Sequence, residues 1–200
     1  PFTGKPGKFR LTNERKDYAI KPPRKTVLDF LKEHNYNVIS IGKINDIFDG
    51  EGITKVIKAT SNMEAINKLT DIMEKDFKGL CVINLDEFDQ QGHARNTESY
   101  ANLIEQLDVE IPMIINKLNN DDLLIITADH GNDPTFKGNS HTRENVPVMI
   151  FGRSFREPKC MEPLDSLADI GATIADNFEV EEPEIGISIL DLSLIHISEP

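Results

Sequence analysis

Residues 80–93 read LCVINLDEFDQQGH and are the strongest indication of how this chain folds. Its first part, residues 80–85, is a largely apolar run of strand length, which is typical of a central strand in a parallel sheet. Acidic side chains and a histidine follow directly, where this strand is predicted to end. Because ligands of such sheets bind at the carboxyl ends of the strands, this junction is the first place to look for a functional site.

The same arrangement recurs further along the chain. Residues 122–127 (DLLIIT) predict a second buried strand, and the segment ADHGND follows it at 128–133. Residues 146–151 predict a third strand, which is preceded by SHTRE at 140–144. Three strands therefore have polar segments rich in histidine and carboxylate at their ends.

Other elements alternate with these strands. Amphipathic helices are predicted over 96–118 and from a cap at 61–62 to about residue 76. A shorter helix begins with Thr26 as its N-cap, a strand follows at 38–41, and a final helix covers 164–177. This alternation predicts an α/β domain with a mostly parallel sheet and helices on both faces.

The composition limits the classes of partner. The 200-residue chain has 34 acidic and 22 basic residues, for a formal net charge of −12. Such an acidic surface repels nucleic acid and anionic membranes, so neither is expected as a partner. No apolar run reaches the ~20 residues that span a bilayer. Cys81 and Cys160 have no disulfide or zinc spacing, which favours a reducing cytoplasm, and Cys81 is expected to be a buried thiol. The sequence does not indicate an oligomeric state.

Three histidine-bearing loops lie at the predicted strand ends. Asp89 and His93 follow the first strand, Asp129 and His130 follow the second, and His141 precedes the third. Each motif alone is more typical of a helix cap or a surface histidine than of a metal site. Together, carboxylate oxygens and imidazole nitrogens at one edge of the sheet predict a centre for Mn, Zn or Fe.

Residues beside these candidate ligands are expected to support them. Gly92 and Gly131 would let the backbone pass close to a bound ion. Glu144 is expected to hold the second ring nitrogen of His141. Asp133 is expected either to hold the second ring nitrogen of His130 or to be a turn residue before Pro134.

Several motifs, in order along the chain, resemble those of the phosphopentomutases. They comprise residues 84–93, 127–135 (TADHGNDPT) and 141–147, with shorter matches within 1–18, 41–48 and 186–191. The resemblance spans nearly all of residues 1–191.

Phosphopentomutases move a phosphoryl group between the 1 and 5 positions of ribose or deoxyribose. The resemblance implies an alkaline-phosphatase-like core, a cap domain, a phosphothreonine and two Mn²⁺ ions, with Zn²⁺ as the alternative metal. By this resemblance Asp89, His93 and His141 would bind one ion. Asp129 and His130 would bind the other, with an Asp and the Thr of the family's amino-terminal half. The substrate would be a small phosphorylated sugar.

The resemblance also implies domain boundaries. Residues 1–24 would be the end of the cap domain, and residues 25–191 the second part of the core. Residues 192–200 resemble a translated sequencing adapter and are interpreted as a non-native tail. Because the family's nucleophile lies upstream, the isolated chain is expected to be inactive.

A phosphorylated substrate needs cations despite the acidic surface. Arg15, Lys43 and Arg143 are the candidates, since arginine offers two parallel hydrogen bonds to phosphate. Each is alternatively a solvated surface cation. Asp86 and Glu87 are expected to be solvated rather than catalytic.

Two features depart from the typical pattern of the family. The spacing from Asp89 to His93 is one residue shorter, and Ser140 stands where the family has Asp. The shorter spacing resembles cofactor-independent phosphoglycerate mutases and a phosphopentomutase-like branch. Two alternatives therefore stay open, a metalloenzyme that acts on another phosphorylated substrate and a non-catalytic metal-binding remnant.

Overall fold

The structure, a computed structural model, describes residues 2–12, 19–153, 155 and 158–190. In chain order its elements are β1 (Phe2–Thr3), β2 (Arg10–Leu11), α1 (Val27–Glu33), β3 (Asn37–Ile41), α2 (Ile44–Ile47), β4 (Lys55–Ile57), α3 (Asn62–Met73), β5 (Gly79–Ile83), α4 (Glu87–His93), α5 (Thr97–Lys117), β6 (Leu123–Thr127), β7 (Val148–Gly152) and α6 (Ala168–Phe178). Among these helices none is both long and apolar enough to cross a membrane. The tail at 192–200 lies outside the described residues. The boundary near residue 24 stays a prediction.

Strands β3, β4 and β5 form a parallel sheet in the order β4-β3-β5. The central strand β3 reads NVISI, and its last four residues are buried. In the register, Ile41 lies opposite Ile57 on one side and Ile83 on the other, so the three strands end at the same edge. The predicted α/β class with a parallel sheet is thus confirmed.

Helices cover both faces of this sheet. On one face α1 packs against α6, and Leu28, Leu31 and Ala175 form a core cluster with Val38 of β3. Alternation along β3 directs Ile41 to the opposite face, where α3 contacts β3 and β5. The sheet is therefore a rigid platform for the segments that leave its carboxyl edge.

Strands β6 and β7 pair with each other and form a separate antiparallel ribbon. The first four residues of β6 are half-buried and Thr127 is exposed, while Met149 of β7 is 53% exposed. The prediction that β6 is buried was wrong, because an apolar run predicts a strand without identifying what covers it. Cys81 of β5 is likewise only half-buried, although burial still raises the pKa of its thiol to about 11.

The starts of α3 and α4 hold each other in place. The Asn62 N–H donates to Glu87 Oε2 at 2.5 Å, and the Glu87 N–H donates to Asn62 Oδ1 at 3.2 Å. Ser61 completes the cap of α3, since its hydroxyl oxygen accepts from the Glu64 N–H. Glu87 was predicted to be solvated and instead fixes α4 against the sheet-covering helix α3.

Candidate metal centre

Asp89 and His93 lie on the helix α4, which begins four residues after β5 ends. The prediction of a loop here was wrong, because EFDQQGH contains residues that favour a helix and the reciprocal Glu87 contact fixes its first turn. The four-residue spacing places both side chains on one helix face. Asp89 Oδ1 is 3.4 Å from His93 Nε2.

His141 reaches this pair from the long connection between β6 and β7. That connection folds back on itself at a bridge between Gly131 and Thr142, where the Thr142 N–H donates to Gly131 O at 3.0 Å. His141 Nε2 consequently lies 3.0 Å from His93 Nε2 and 3.3 Å from Asp89 Oδ1.

The three atoms are spaced as ligands of one ion must be. Asp89, His93 and His141 each offer one ligand atom, and these atoms lie within 4.8 Å of one another. Ligands bonded at about 2.1 Å with bond angles of roughly 90–110° lie roughly 3.0–3.4 Å apart. The observed separations of 3.0, 3.3 and 3.4 Å fall in this range. Mixed oxygen and nitrogen ligation suits a divalent transition metal.

His130 borders this cluster, and Asp129 lies further out. The ring of His130 stacks on His141, with 3.8 Å between centroids. His130 Nε2 is 4.0 Å from Asp89 Oδ1 and 3.6 Å from Asp129 Oδ2. In the described ranges only the trio of Asp89, His93 and His141 has the spacing for an ion. Asp129 and His130 therefore supply two candidate ligands for a second ion, and no described residue completes that set.

A backbone carbonyl orients one of the imidazoles. His93 Nδ1 lies 2.6 Å from Asn139 O, which leaves Nε2 to face the other ligand atoms. His130 Nδ1 makes a longer contact of 3.3 Å with Gly131 O. A hydrogen bond to the second ring nitrogen fixes the tautomer and direction of a metal-bound imidazole.

Glu144 and Asp133 do not hold histidines as expected. Glu144 Oε2 accepts from the Thr142 hydroxyl at 2.5 Å, and that hydroxyl accepts from the Asp133 N–H at 2.7 Å. Asp133 Oδ1 accepts from the hydroxyl and N–H of Thr135, which lower the pKa of this carboxyl, with Arg95 adding a smaller effect. The turn interpretation of Asp133 is the one that fits.

Asn132 is a supporting residue that the sequence analysis missed. It is buried, and its Nδ2 donates to Asp89 Oδ1 at 2.8 Å and to Asp89 O at 3.2 Å. A Cβ on Gly92 would lie 2.5 Å from Asn132 Cγ, and one on Gly131 would lie 2.4 Å from Glu144 Oε2. The absence of a Cβ at both glycines therefore leaves room for neighbouring side chains. The predicted reason was close approach of the backbone to a bound ion. The only sequence signal for Asn132 was its place directly after the DHG motif.

Negative charge is concentrated around these ligands. Tyr100 of α5 packs edge-on against Phe88 of α4, with 5.8 Å between ring centroids. Burial raises the pKa of the Tyr100 hydroxyl, and the carboxylates of Asp89 and Glu144 raise it further. The negative charge of these carboxylates also favours a bound cation.

Two of the candidate substrate cations, Lys43 and Arg143, lie in the described part of the chain. Lys43 Nζ pairs with Asp86 Oδ1 at 2.6 Å in a cleft at the carboxyl ends of β3 and β5. Asn84 also lines this cleft, and its Oδ1 is buried without a hydrogen-bond partner in the described structure. Arg143 is exposed, with no hydrogen bond or ion pair to any described residue. Arg15 lies outside the described residues.

Three comparisons place the chain among known proteins. The family profile of the Metalloenzyme superfamily matches residues 5–182. A phosphopentomutase from Clostridium botulinum (strain Alaska E43 / Type E3) is 52% identical over 195 residues, which are 96% of this chain and 49% of that protein. The chain thus spans about half the length of this relative.

Two solved structures share the fold. Phosphoglycerate mutase from Leishmania mexicana, crystallised at low cobalt concentration, matches with a TM-score of 0.64 and 19% identity over 80% of this chain and 38% of that one. The PH0037 protein from Pyrococcus horikoshii matches with a TM-score of 0.51 and 18% identity over 62% of this chain and 40% of that one. At these identities the likeness concerns the fold alone.

Proposed function

This chain belongs to the Metalloenzyme superfamily, and from that membership we propose that it is the metal-binding part of a phosphopentomutase. Membership implies that it binds a divalent metal. The proposed reaction interconverts (deoxy)ribose 1-phosphate and (deoxy)ribose 5-phosphate. The observation that carries the proposal is the cluster of Asp89, His93 and His141, in a chain 52% identical to a phosphopentomutase.

The first ion of the proposed metal set follows the geometry of the ligand atoms, and the second follows the resemblance to the phosphopentomutases. Asp89, His93 and His141 would hold the first ion, and Asp129 with His130 would hold a second ion with ligands from elsewhere in the protein. Ions held by these residues would supply electrostatic stabilisation of the charge on a transferred phosphoryl group. We propose Mn²⁺ as the native metal and Zn²⁺ as the competitor, because both accept mixed carboxylate and imidazole ligands.

The chain's own cations would hold the phosphate of the sugar. Arg143 supports this role because its guanidinium has no partner among the described residues, follows the ligand His141 by two residues and suits bidentate contact with phosphate. Lys43 would contribute from the cleft if phosphate displaced Asp86. Arg15 is proposed on the resemblance alone. We also propose the cytoplasm as the compartment.

The nucleophile is proposed to lie outside this chain. Thr135 and Thr142 are engaged in hydrogen bonds with Asp133 and Glu144, which supports a structural role for both hydroxyls. Thr127 is exposed at the end of β6, and among the described residues its hydroxyl has one hydrogen-bond partner, Ala128 O at 3.5 Å. We therefore expect no mutase turnover from the 200-residue chain alone.

A chimera tests the function directly. Residues 1–191 replace the matching half of the Clostridium botulinum phosphopentomutase, and the chimera is assayed with Mn²⁺ for conversion of ribose 1-phosphate to ribose 5-phosphate. We expect turnover, abolished by Asp89→Ala and retained by Asp71→Ala, which removes an exposed carboxylate from α3. A folded, metal-loaded chimera without turnover would contradict the proposal.

A second candidate rests on the short spacing between Asp89 and His93. That spacing, which α4 converts into two ligands on one helix face, resembles the one in cofactor-independent phosphoglycerate mutases. Interconversion of 2- and 3-phosphoglycerate by the chimera, without activity on ribose phosphates, would favour this candidate over the first.

A further inference from the structure

Arg95 has a disfavoured backbone conformation at the end of α4. The Arg95 N–H donates to Gly92 O and the Asn96 N–H donates to Gln91 O, both at 3.1 Å. These two bonds form a Schellman motif, in which Arg95 is the left-handed residue with φ of 54°. Glycine usually fills this position because a Cβ is unfavourable there. The contacts of the Arg95 side chain are therefore the place to look for a role.

The Arg95 guanidinium joins the three segments that carry candidate ligands. Its acceptors are Gly92 O (2.9 Å), Asn132 Oδ1 (2.9 Å), Asp133 O (2.7 Å), Ser140 O (2.6 Å) and Gly138 O. One acceptor belongs to α4, two follow β6, and two precede His141. Only a planar group with several N–H donors can reach so many acceptors at once.

Each of these contacts is close to a candidate ligand. Gly92 precedes His93, and Ser140 precedes His141. Asn132 accepts from Arg95 through Oδ1 while its Nδ2 donates to the Asp89 carboxylate at 2.8 Å. The Arg95 guanidinium therefore fixes the backbone beside His93 and His141. Through the Asn132 amide it also fixes the direction of the Asp89 carboxylate.

We propose that Arg95 is a positioning residue that sets the metal affinity of the centre by holding the three ligand-bearing segments together before an ion arrives. This inference rests on the metal centre proposed above. Ligands that are already in position bind an ion more tightly. The entropic cost of ordering their segments is then not subtracted from the free energy of ion binding. Residues that orient metal ligands typically change affinity 10- to 100-fold when they are removed.

The charge of Arg95 distinguishes positioning from simple electrostatics. A guanidinium near a cation site repels the ion, so loss of its charge alone would tighten metal binding. Loss of positioning would weaken binding instead. Arg95 is also unavailable as a substrate cation, since its donors face protein acceptors.

The test measures binding of Mn²⁺ and Co²⁺ to the full 200-residue chain by calorimetry, with the visible absorption of Co²⁺ as a second signal. Arg95→Gly is the most informative variant, because glycine favours the backbone conformation and the end of α4 should survive. Arg95→Lys keeps the charge without the fork of donors. Arg153→Gly is the matched control, because Arg153 also donates to a carbonyl, Leu118 O, at the opposite end of the β6–β7 ribbon.

We expect Arg95→Gly to weaken binding 10- to 100-fold, Arg95→Lys to weaken it by a smaller factor, and Arg153→Gly to leave it unchanged. Amide hydrogens at residues 138–140 should exchange faster in metal-free Arg95→Gly than in metal-free wild type. Equal or tighter binding by Arg95→Gly, while wild type binds one ion, would overturn the positioning role alone. No binding by wild type would remove the metal centre as well. Unfolding of both Arg95 variants would make Arg95 a folding residue and would also overturn the inference.

Discussion

Replacement of Gly92 by alanine sets two effects of opposite sign against each other. In a free helix position the change stabilises by roughly 0.5–1 kcal/mol, because glycine loses more backbone entropy on folding. Here the new Cβ would lie 2.5 Å from Asn132 Cγ and 2.6 Å from its Nδ2. Asn132 is buried and held by Asp89 and Arg95, so it cannot move without loss of those contacts.

The magnitudes decide the sign. Overpacking of this kind costs about 1–3 kcal/mol, and each hydrogen bond given up to relieve it costs about 1 kcal/mol. With one hydrogen bond given up, subtraction of the helix gain leaves Gly92→Ala destabilised by about 1–3.5 kcal/mol. Gly171→Ala is the matched control, because Gly171 lies in α6 and its added Cβ would meet only Pro183 Cγ, at 3.8 Å. That variant should be stabilised by roughly 0.5–1 kcal/mol.

Urea denaturation of the metal-free chain, followed by circular dichroism, measures both changes. The reasoning requires opposite signs for the two variants at unchanged m-value. Gly92→Ala as stable as wild type would mean that Asn132 moves freely, and that its hydrogen bonds to Asp89 do not constrain the site. Equal destabilisation of both variants would mean that the close contact is not the cause.

Three further outcomes concern a helix cap, a half-buried thiol and the bound metal. Asp29→Ala should destabilise the chain by about 1 kcal/mol in thermal unfolding, since the Asp29 carboxylate accepts from the N–H and hydroxyl of Thr26 at the start of α1. Because the folded-state pKa of Cys81 is raised to about 11, the unfolded state loses its thiol proton first. Stability should therefore fall as pH rises from about 8.5 toward 11, by at most ~3 kcal/mol more in wild type than in Cys81→Ala. Chelator should lower the melting temperature of Mn²⁺-loaded chain, because an ion at 100 times its Kd stabilises by about 2.7 kcal/mol; an unchanged melting temperature would contradict metal binding by the folded state.

Local patterns were sufficient for most of the elements. Ser61 begins α3 because its hydroxyl can cap the helix, and the apolar period that follows it extends to Met73. The pairing of β6 with β7 could not be predicted in the same way. Their apolar runs are consistent with a parallel or an antiparallel neighbour, and the choice depends on contacts far apart in sequence.

The residues of the candidate site were likewise predictable only in part. Asp89, His93 and His141 could be placed together from their motifs, although the predicted reason, one shared sheet edge, does not apply because β6 and β7 form a separate ribbon. Asn132 and Arg95 were missed because they act through backbone acceptors and a single amide, and the place of Asn132 directly after the DHG motif does not by itself indicate such contacts. A signal for Arg95 did exist, since an arginine stands between the glycine-containing end of α4 and the cap residue Asn96, where glycine is usual.

The placement of the three ligands has a kinetic consequence. Two of them belong to one helix and move as a unit, whereas His141 belongs to a long connection between two strands. Because Arg95 holds this connection against α4 through Ser140 O and Gly92 O, all three ligands would already be in place when an ion arrives. Departure then requires the connection to swing away, so the residence time of the ion should follow the opening rate of that segment, on the microsecond-to-millisecond scale or slower. Two metals of equal affinity would exchange at rates set by the protein chain rather than by their own chemistry.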